Sequence, residues 1–339
     1  EVRAVGLNFR DVLNVLGAYP GDPGPPGGDS AGLVLARWNG SSLENGDAVF
    51  GYGTAPLAAS CFTTEPVIAR KPTTMTFEQA STLPTVWNTV HDSLRASETR
   101  SRHLIFLHAA AGGVGLVGVE YTHWLRTRVT GTAGRPSKHQ HLRQLDLRRT
   151  ASSRDAGPLA AGAAEQVRGK RMHVALNSLS NDFISATFAM LTEGSHFAEI
   201  GKVSTWSHER QRTAASFIAY HMIAIDVEMA LEPGWMRRGL GVLGNRVYLG
   251  SAHGLPLRTF EMVGEFEAAF RSLQAGLNTG KVVLRTGTVR DRLGESKGSH
   301  VLSGGTGGLG LLTARWLARK DASLVLVSRS GALARDAAD

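Results

Sequence analysis

The run HAAAGGVG, residues 108–115, constrains the fold more than any other stretch of this chain. It follows a buried-strand pattern, HLIFLHA (103–109), and opens onto LVGVEYTHWL (116–125), whose apolar residues recur at helical spacing. A further strand pattern, RVTGTA (128–133), comes next. Gly112, Gly113 and Gly115 let the backbone turn sharply between strand and helix. They also let helix N-terminal N–H groups and the positive end of the helix dipole approach a phosphate. Strand, glycine turn, helix and strand in this order predict a parallel, doubly wound α/β sheet that holds a dinucleotide at its first turn. A tight structural βα turn without a ligand uses glycine in the same way.

The alternation continues downstream. MHVALNSL (172–179) reads as a third strand, and NDFISATFAML (181–191) as a helix capped by Asn181. SHFAEIG (195–201) and MIAIDV (222–227) read as further strands. Residues 1–83 have another character, with short strands such as SAGLVLARW (30–38) and DAVFGYG (47–53) between turns. YPGDPGPPGGD (19–29) is too rich in proline and glycine for regular structure. TFEQASTLPTVWNTVHDSL (76–94) reads as a helical stretch with a break at Pro84. LPLRTFEMVGEFEAAFRSLQAGLNTGKVVL (255–284) reads as strand, helix and strand, a segment that can return to the first domain. A polar stretch, RDRLGESKGS (290–299), then leads to a second glycine loop, SGGTGGLG (303–310).

Composition narrows the function classes. With 339 residues and 42% hydrophobic content, the chain is long enough for two or three domains with sizeable cores. No apolar run reaches the roughly 18 residues of a membrane span, so no membrane association is expected. The first residues, EVRAVGLNFR, carry neither Met nor a signal peptide, and the chain reads as a fragment cut at both ends. The single cysteine, Cys61, allows no internal disulfide and no thiolate cluster, which fits a cytoplasmic protein. Net charge is +8, and the basic residues concentrate between Arg126 and Arg154. Charge of that kind is compatible with nucleic acid, but no nucleic-acid motif accompanies it, and no nucleic-acid partner is expected. A solvated basic surface or a phosphate contact accounts for it.

The end of the second strand bears on cofactor choice. NAD-binding folds place an Asp or Glu there to hold the ribose 2′-hydroxyl. VTGTAGRPSKHQ (129–140) has no acid; Thr132, Ser137 and Lys138 offer donors and a positive charge, which suits the 2′-phosphate of NADPH.

Five runs in sequence order carry a resemblance: GLNFRDVLNVLGAYPG (6–21), HAAAGGVGLVGVE (108–120), ASSRDAG (151–157), LNSLSNDFISATFAMLTEGSHFAEIGK (176–202) and AAFRSLQAGLNTGKVVL (268–284). Residues 1–288 resemble the enoyl reductase domain of type I polyketide and fatty acid synthases, within the medium-chain dehydrogenase/reductase superfamily. The resemblance implies a β-rich, GroES-like catalytic domain from residues 1–83 and 248–288, lacking its first strands. It implies an NADP(H)-binding Rossmann domain over 84–247. Residues 300–331 are similar to the start of a ketoreductase domain, after a linker at 289–299, so that a truncated second Rossmann unit ends the chain. There Gly304, Gly305, Thr306, Gly307, Gly308, Leu309 and Gly310 would form the phosphate turn. Arg329 would stand where NADP-preferring folds place a base, and the ketoreductase Tyr and Lys are expected beyond Asp339. Ser303 departs mildly from the usual Thr.

The superfamily also contains zinc alcohol dehydrogenases, whose Gly-His-Glu run corresponds to Gly27-Gly28-Asp29 here. One cysteine and scattered histidines do not make a three-ligand zinc site, so no metal is expected. Without metal, side chains must meet the demands of enoyl thioester reduction: hydride at Cβ, a proton at Cα, and a donor for the charge that develops on the carbonyl oxygen. The resemblance assigns these roles to Lys202, Asp226 and Tyr19. Asp226 would keep Lys202 charged, and Tyr19 would deliver the Cα proton. The cofactor set extends by resemblance to Asn8, Ala111, Val114, Arg154, Asn177 and Gly201. Implied partners are an acyl carrier protein bearing a phosphopantetheine-bound enoyl chain and the other domains of the synthase. A free-standing quinone or enal reductase and an inactive scaffold domain remain as alternatives.

Overall fold

The computed structural model describes residues 1–161, 172–202, 205–232, 234–287, 299–318 and 323–329. It divides into two units, Glu1–Thr286 and Gly287–Asp339. No helix among the described residues is long and apolar enough to cross a membrane.

The first unit holds two six-stranded sheets. One contains β1 (Val2–Leu7), β2 (Asp29–Leu33), β3 (Ala48–Tyr52), β4 (Ile68–Arg70), β11 (Leu257–Glu261) and β12 (Lys281–Arg285), in the order β11-β12-β1-β2-β3-β4. Its pairs are antiparallel except β11 with β12, which a crossover helix (Met262–Gln274) joins in parallel. The strand-helix-strand segment near the end of this unit therefore returns to the N-terminal sheet, as its pattern allows.

The other sheet contains β5 (Leu104–Leu107), β6 (Arg128–Ala133), β7 (Thr150–Ser152), β8 (Met172–Asn177), β9 (Leu191–Glu199) and β10 (Ile218–Met222), all parallel. Counted along the chain, its strands lie in the order 3-2-1-4-5-6 of a dinucleotide-binding sheet. The order reverses between β5 and β8, so the loops after these two strands diverge and leave a crevice at their carboxyl ends. The glycine loop after β5 leads into helix α4 (Gly113–Trp124), preceded in the chain by α1 (Phe9–Val15), α2 (Phe77–Ser81) and α3 (Pro84–Ala96).

Local chemistry explains most boundaries. Thr76 caps α2, its hydroxyl accepting from the Gln79 N–H at 3.2 Å. Pro84 starts α3 at a position where its missing N–H costs nothing, which is the break read at that residue. Gly115 must be glycine, because a Cβ there would meet the Ala110 Cα at 2.4 Å. Two expectations need correction. Residues 222–227 are not one strand: β10 ends at Met222 and a helix begins at Ile225, so Asp226 sits in a helical first turn. Asn181 occupies an N-cap position with φ 58° but makes no side-chain capping bond.

The main core lies where the sheets and α3 meet. Phe50 and Leu83 pack with Trp87, Ile105, Leu107, Leu176 and Leu240. Trp87 is 1% exposed, and its indole N–H donates to the Gly239 carbonyl at 3.1 Å. The sheets also join directly. The Gly280 N–H donates to the Ala111 carbonyl at 2.9 Å, and Gly112 and Gly280 form a parallel bridge. The cofactor-type loop is thereby tied to the residue that precedes β12.

The second unit begins with β13 (Ser299–Ser303), turns through Gly304–Gly307, and continues in a helix (Gly308–Ala318) and a parallel strand β14 (Ser323–Val327). Gly304 has φ +70°, and a Cβ on Gly310 would meet the Gly304 carbonyl at 2.3 Å. Most of the expected linker lies outside the described residues.

The seam gives a direct test. Gly280 has φ +72°, and a Cβ there would meet the Pro256 carbonyl at 1.9 Å. Gly280→Ala is expected to destabilise the first unit by at least about 2 kcal/mol, seen as a lower urea midpoint.

Candidate active site

A cavity of about 270 Å³ lies beside the carboxyl ends of the parallel strands. The N-terminal segment contributes Asn8, Arg10, Tyr19 and Tyr52, and the parallel sheet contributes Val114, Ser178, Gly201, Lys202 and Asp226. Leu13, Ile200, Ile223, Ile225 and Met229 supply apolar wall.

The three residues assigned catalytic roles by resemblance meet here. Lys202 Nζ donates to Asp226 Oδ1 at 3.2 Å, and Tyr19 Oη donates to Asp226 Oδ2 at 3.1 Å. One carboxylate therefore holds both a cation and a phenol, from segments 207 residues apart for the tyrosine. Burial pushes the Asp226 carboxyl up, but the Lys202 ammonium and the bonds from Lys202 and Tyr19 outweigh it, and the group stays below its ordinary range. Tyr19 is pushed above the usual phenol range by burial and by the Asp226 charge, so it enters as the neutral, proton-bearing form.

Arg10 orders this corner, although sequence reading passed over it. Its guanidinium lies 5.3 Å from the Tyr19 ring centroid, donates to Tyr52 Oη at 3.1 Å, and donates to the Pro23 carbonyl at 2.5 Å. The proline-rich loop carrying Tyr19 is thus tied down by a planar cation with several donors.

Below the cavity wall lies a buried polar network. Asp29 is 0% exposed and Lys281 is 3% exposed. Lys281 Nζ donates to Asn8 Oδ1 at 2.6 Å and stands 3.4 Å from Asp29 Oδ2. Asn8 Nδ2 donates to Asp29 Oδ2 at 2.9 Å. Asp29 Oδ1 accepts from the Thr85 N–H at 2.9 Å and from its hydroxyl at 2.6 Å, at the first turn of α3. A carboxylate is a favourable partner for the free N–H groups of a helix N-terminus.

Behind Lys202 is a second network, whose central Glu199 was not singled out from the sequence. Glu199 is 1% exposed; it accepts from the Gly201 N–H at 2.7 Å and from Asn177 Nδ2 at 2.8 Å. Burial raises its carboxyl to about 7 despite those bonds. Asn177 is fully buried and also donates to the Leu179 carbonyl at 2.7 Å, so both amide hydrogens are committed inside the protein. His108, buried against Thr187, is pushed down to about 3 by burial and is neutral at physiological pH.

The proposed cofactor residues divide accordingly. Ala111, Gly112, Gly113, Val114 and Gly115 form the loop and first turn of α4, where N–H groups have no intrahelical partner. A Cβ on Gly113 would meet Lys281 Cδ at 2.9 Å, so the loop packs flush on that lysine. Gly201 lines the cavity. Thr132 is 0% exposed, and its hydroxyl accepts from the Ala109 N–H at 2.9 Å, beneath the loop. Asn177 is likewise buried, its amide hydrogens held by Glu199 and Leu179. At the end of β6, Ser137 is exposed and Lys138 donates to the Gly276 carbonyl at 3.0 Å. Burial lowers the Lys138 ammonium, and the positive charges of Arg135 and Arg154 lower it further. Among the described residues, no group of three or more His, Cys, Asp or Glu could hold a metal ion. Arg329 and the second glycine loop belong to the other unit.

Known proteins resemble the chain along nearly all of its length. Polyketide synthase GfsB of Streptomyces halstedii is 35% identical over 342 residues, which span 97% of this chain and 6% of GfsB. The chain therefore matches a small part of this relative's length. The crystal structure of CurK enoyl reductase superposes with a TM-score of 0.79 at 30% identity, covering 85% of this chain and 90% of that one. Escherichia coli quinone oxidoreductase complexed with NADPH shares the fold, with a TM-score of 0.74 at 21% identity, covering 84% and 90%. The profile of the KR domain matches residues 298–339.

The Glu199 carboxyl gives a pH test. Its folded value, about 7, lies above the roughly 4.3 of an unfolded chain, so the folded state binds more protons between these values. That contribution to stability is present below about pH 4 and is lost as pH rises through about 7. Glu199→Gln is expected to flatten the pH dependence of the urea midpoint between pH 5 and 8, with the variant gaining on wild type toward pH 8.

Proposed function

The chain belongs to the enoyl reductases of type I polyketide synthases, in the medium-chain dehydrogenase/reductase superfamily, and from that premise we propose that it reduces an α,β-unsaturated acyl thioester with NADPH. The substrate would arrive on the phosphopantetheine arm of an acyl carrier protein, and other domains of the same synthase would be its neighbours. The observation that carries the reading is the Tyr19–Asp226–Lys202 cluster on the wall of a cavity that also reaches Val114 of the glycine loop.

The residues fit NADPH. The loop from Ala111 to Gly115 is too close-packed for side chains at Gly113 and Gly115, which leaves bare backbone for a pyrophosphate. Arg135, Lys138 and Arg154 repel one another at the end of β6, and a 2′-phosphate would relieve that repulsion. When bound, NADPH supplies the hydride that goes to Cβ.

The protein's own groups handle the rest. As Cβ gains the hydride, negative charge moves to the thioester carbonyl oxygen. Lys202, held in place by Asp226, stabilises that charge through the low-dielectric cavity. Tyr19 carries its proton at the pH of the cell and delivers it to Cα; Asp226 aims the hydroxyl, and Arg10 offsets the charge left on the phenolate. The apolar wall excludes water from the enolate.

Lys202→Ala is expected to lower turnover of an enoyl pantetheine thioester about ten- to a thousandfold while hardly changing NADPH affinity. Asp226→Asn should cost less, and the double variant much less than the two penalties combined. Tyr19→Phe should change product configuration on an α-methyl substrate more than it changes rate. Wild-type turnover in both Lys202→Ala and Asp226→Asn, with none in Tyr19→Phe, would make the pair structural and the tyrosine the main acid.

Fluorescence titration should show tighter binding of NADPH than of NADH. Lys138→Ala should weaken NADPH selectively, by about 1–3 kcal/mol. Equal affinity for both cofactors in wild type would overturn the assignment of the Lys138 corner.

A further inference from the structure

Asn8 sits in a clamp that fixes which way its amide points. A lysine ammonium can only donate, so the atom facing Lys281 at 2.6 Å must be the carbonyl oxygen. The group 2.9 Å from Asp29 Oδ2 is then the amide nitrogen. Flipping the amide would set donor against donor and bring two oxygens together inside a site where Asp29 and Lys281 are almost without solvent. The nitrogen has two hydrogens, and Asp29 takes one. Asn8 itself is half-buried and lines the cavity, and no second acceptor for its nitrogen occurs among the described residues.

Resting on the enoyl reductase reading, we propose that the second Nδ2 hydrogen of Asn8 is the fixed donor to the carbonyl oxygen of the bound acyl thioester, and that Lys281 and Asp29 are its positioning residues. Chemistry favours this use. Pulling on Oδ1 with a buried ammonium draws electron density from the amide and makes its remaining N–H a better donor. The donor is neutral, so holding it ready in an apolar cavity costs far less than holding a bare charge. It is also pre-oriented, so little reorganisation is needed as charge develops on the oxygen. Lys202 contributes charge from its Asp226 pair, 28% exposed, whereas Asn8 contributes direction; a carbonyl oxygen has lone pairs for both. The lysine stem lies against Gly113, so the clamp is built on the same loop that would hold the cofactor.

The test separates this proposal from the reading beneath it. Wild type and Asn8→Ala would be titrated, in the presence of NADP⁺, with a saturated acyl pantetheine thioester and with the matching thioether, in which a methylene replaces the carbonyl. Wild type should prefer the thioester about three- to tenfold, and Asn8→Ala should bind both alike. At saturating NADPH, Asn8→Ala should lose about ten- to a thousandfold in turnover. The backbone bond from the Asn8 N–H to Asp11 does not depend on the side chain, so the local fold should survive. Lys281→Met combined with Asp29→Asn keeps the lysine stem's volume against Gly113 and removes both partners of the ion pair, leaving buried Asp11 to its bonds from the Asn8 and Gly27 N–H groups. That pair should reproduce the Asn8→Ala turnover defect, and adding Asn8→Ala to it should cost little more. If wild type turns over but does not distinguish thioester from thioether, the donor role falls and the reductase stands. Weakened NADPH with an intact thioester preference in Asn8→Ala would assign the amide to the nicotinamide and overturn the proposal. An Asn8-dependent preference without any NADPH-driven turnover supports the donor role and removes the reductase.

Discussion

The buried pair of Lys281 and Asp29 holds the first unit together at its most sensitive point. Lys281 opens β12, Asp29 opens β2, and between them lies Asn8, the residue after β1. Asp29 also receives the first turn of α3, while the lysine stem supports the glycine loop of the parallel sheet. Five segments, from both sheets and α3, thus meet at one ion pair. Two charges out of water are expensive to hold, and each is offset by the other and by hydrogen bonds, Lys281 to Asn8 and Asp29 from Asn8 and Thr85. Replacing either partner alone leaves an uncompensated charge in the core. Specific geometry follows from that cost, since only one arrangement of the surrounding donors and acceptors satisfies both groups.

A second consequence concerns division of charge in the cavity. Asp226 is shared by Lys202 and Tyr19, so the protonation of one group is felt by the others. The phenol is harder to ionise beside this carboxylate, and Arg10 on the other side opposes that effect. A tyrosine in such a position keeps its proton until a stronger base, such as an enolate carbon, is presented. The carboxylate therefore orients two donors while remaining an anion itself. Behind it, Glu199 grips the Gly201 N–H and so fixes the short segment that ends in Lys202.

Legibility from sequence followed chemistry that is local. The glycine loop, its flanking strands and the Pro84 break are set by neighbours in the chain, and they were readable. Lys202, Asp226 and Tyr19 were named through family resemblance, because nothing local brings residues 19 and 226 together. The strand expected over 222–227 fails because the run is apolar enough for either state, and its tertiary contacts decide. Thr132 and Asn177 look like polar residues at strand ends, where a ligand contact is a natural reading. Their burial, visible only in three dimensions, turns them into supports. Lys281 was hidden for a related reason. In NTGKVVL a lysine at the start of a strand reads as a solvated side chain, and its carboxylate partner lies 252 residues away. Glu199, in HFAEIGK, carries no local sign of burial, yet it lies on β9 in the interior of the parallel sheet.

The two glycine loops show where function enters. Both use glycine for one steric reason: a Cβ at Gly115 would strike Ala110, and a Cβ at Gly310 would strike Gly304 and Gly305. Both therefore make a strand, a turn and a helix with exposed N–H groups, and a phosphate suits either. The first loop differs through what is packed against it. Lys281 lies under Gly113, Gly280 bonds to Ala111, and Asn8 with the Tyr19 loop completes a cavity beside Val114. A phosphate turn specifies a class of ligand, whereas the chemistry performed on a second ligand depends on residues from another sheet. In this chain one of those residues, Asn8, is anchored by a buried ion pair whose lysine also supports the glycine loop, so cofactor loop and cavity share a contact.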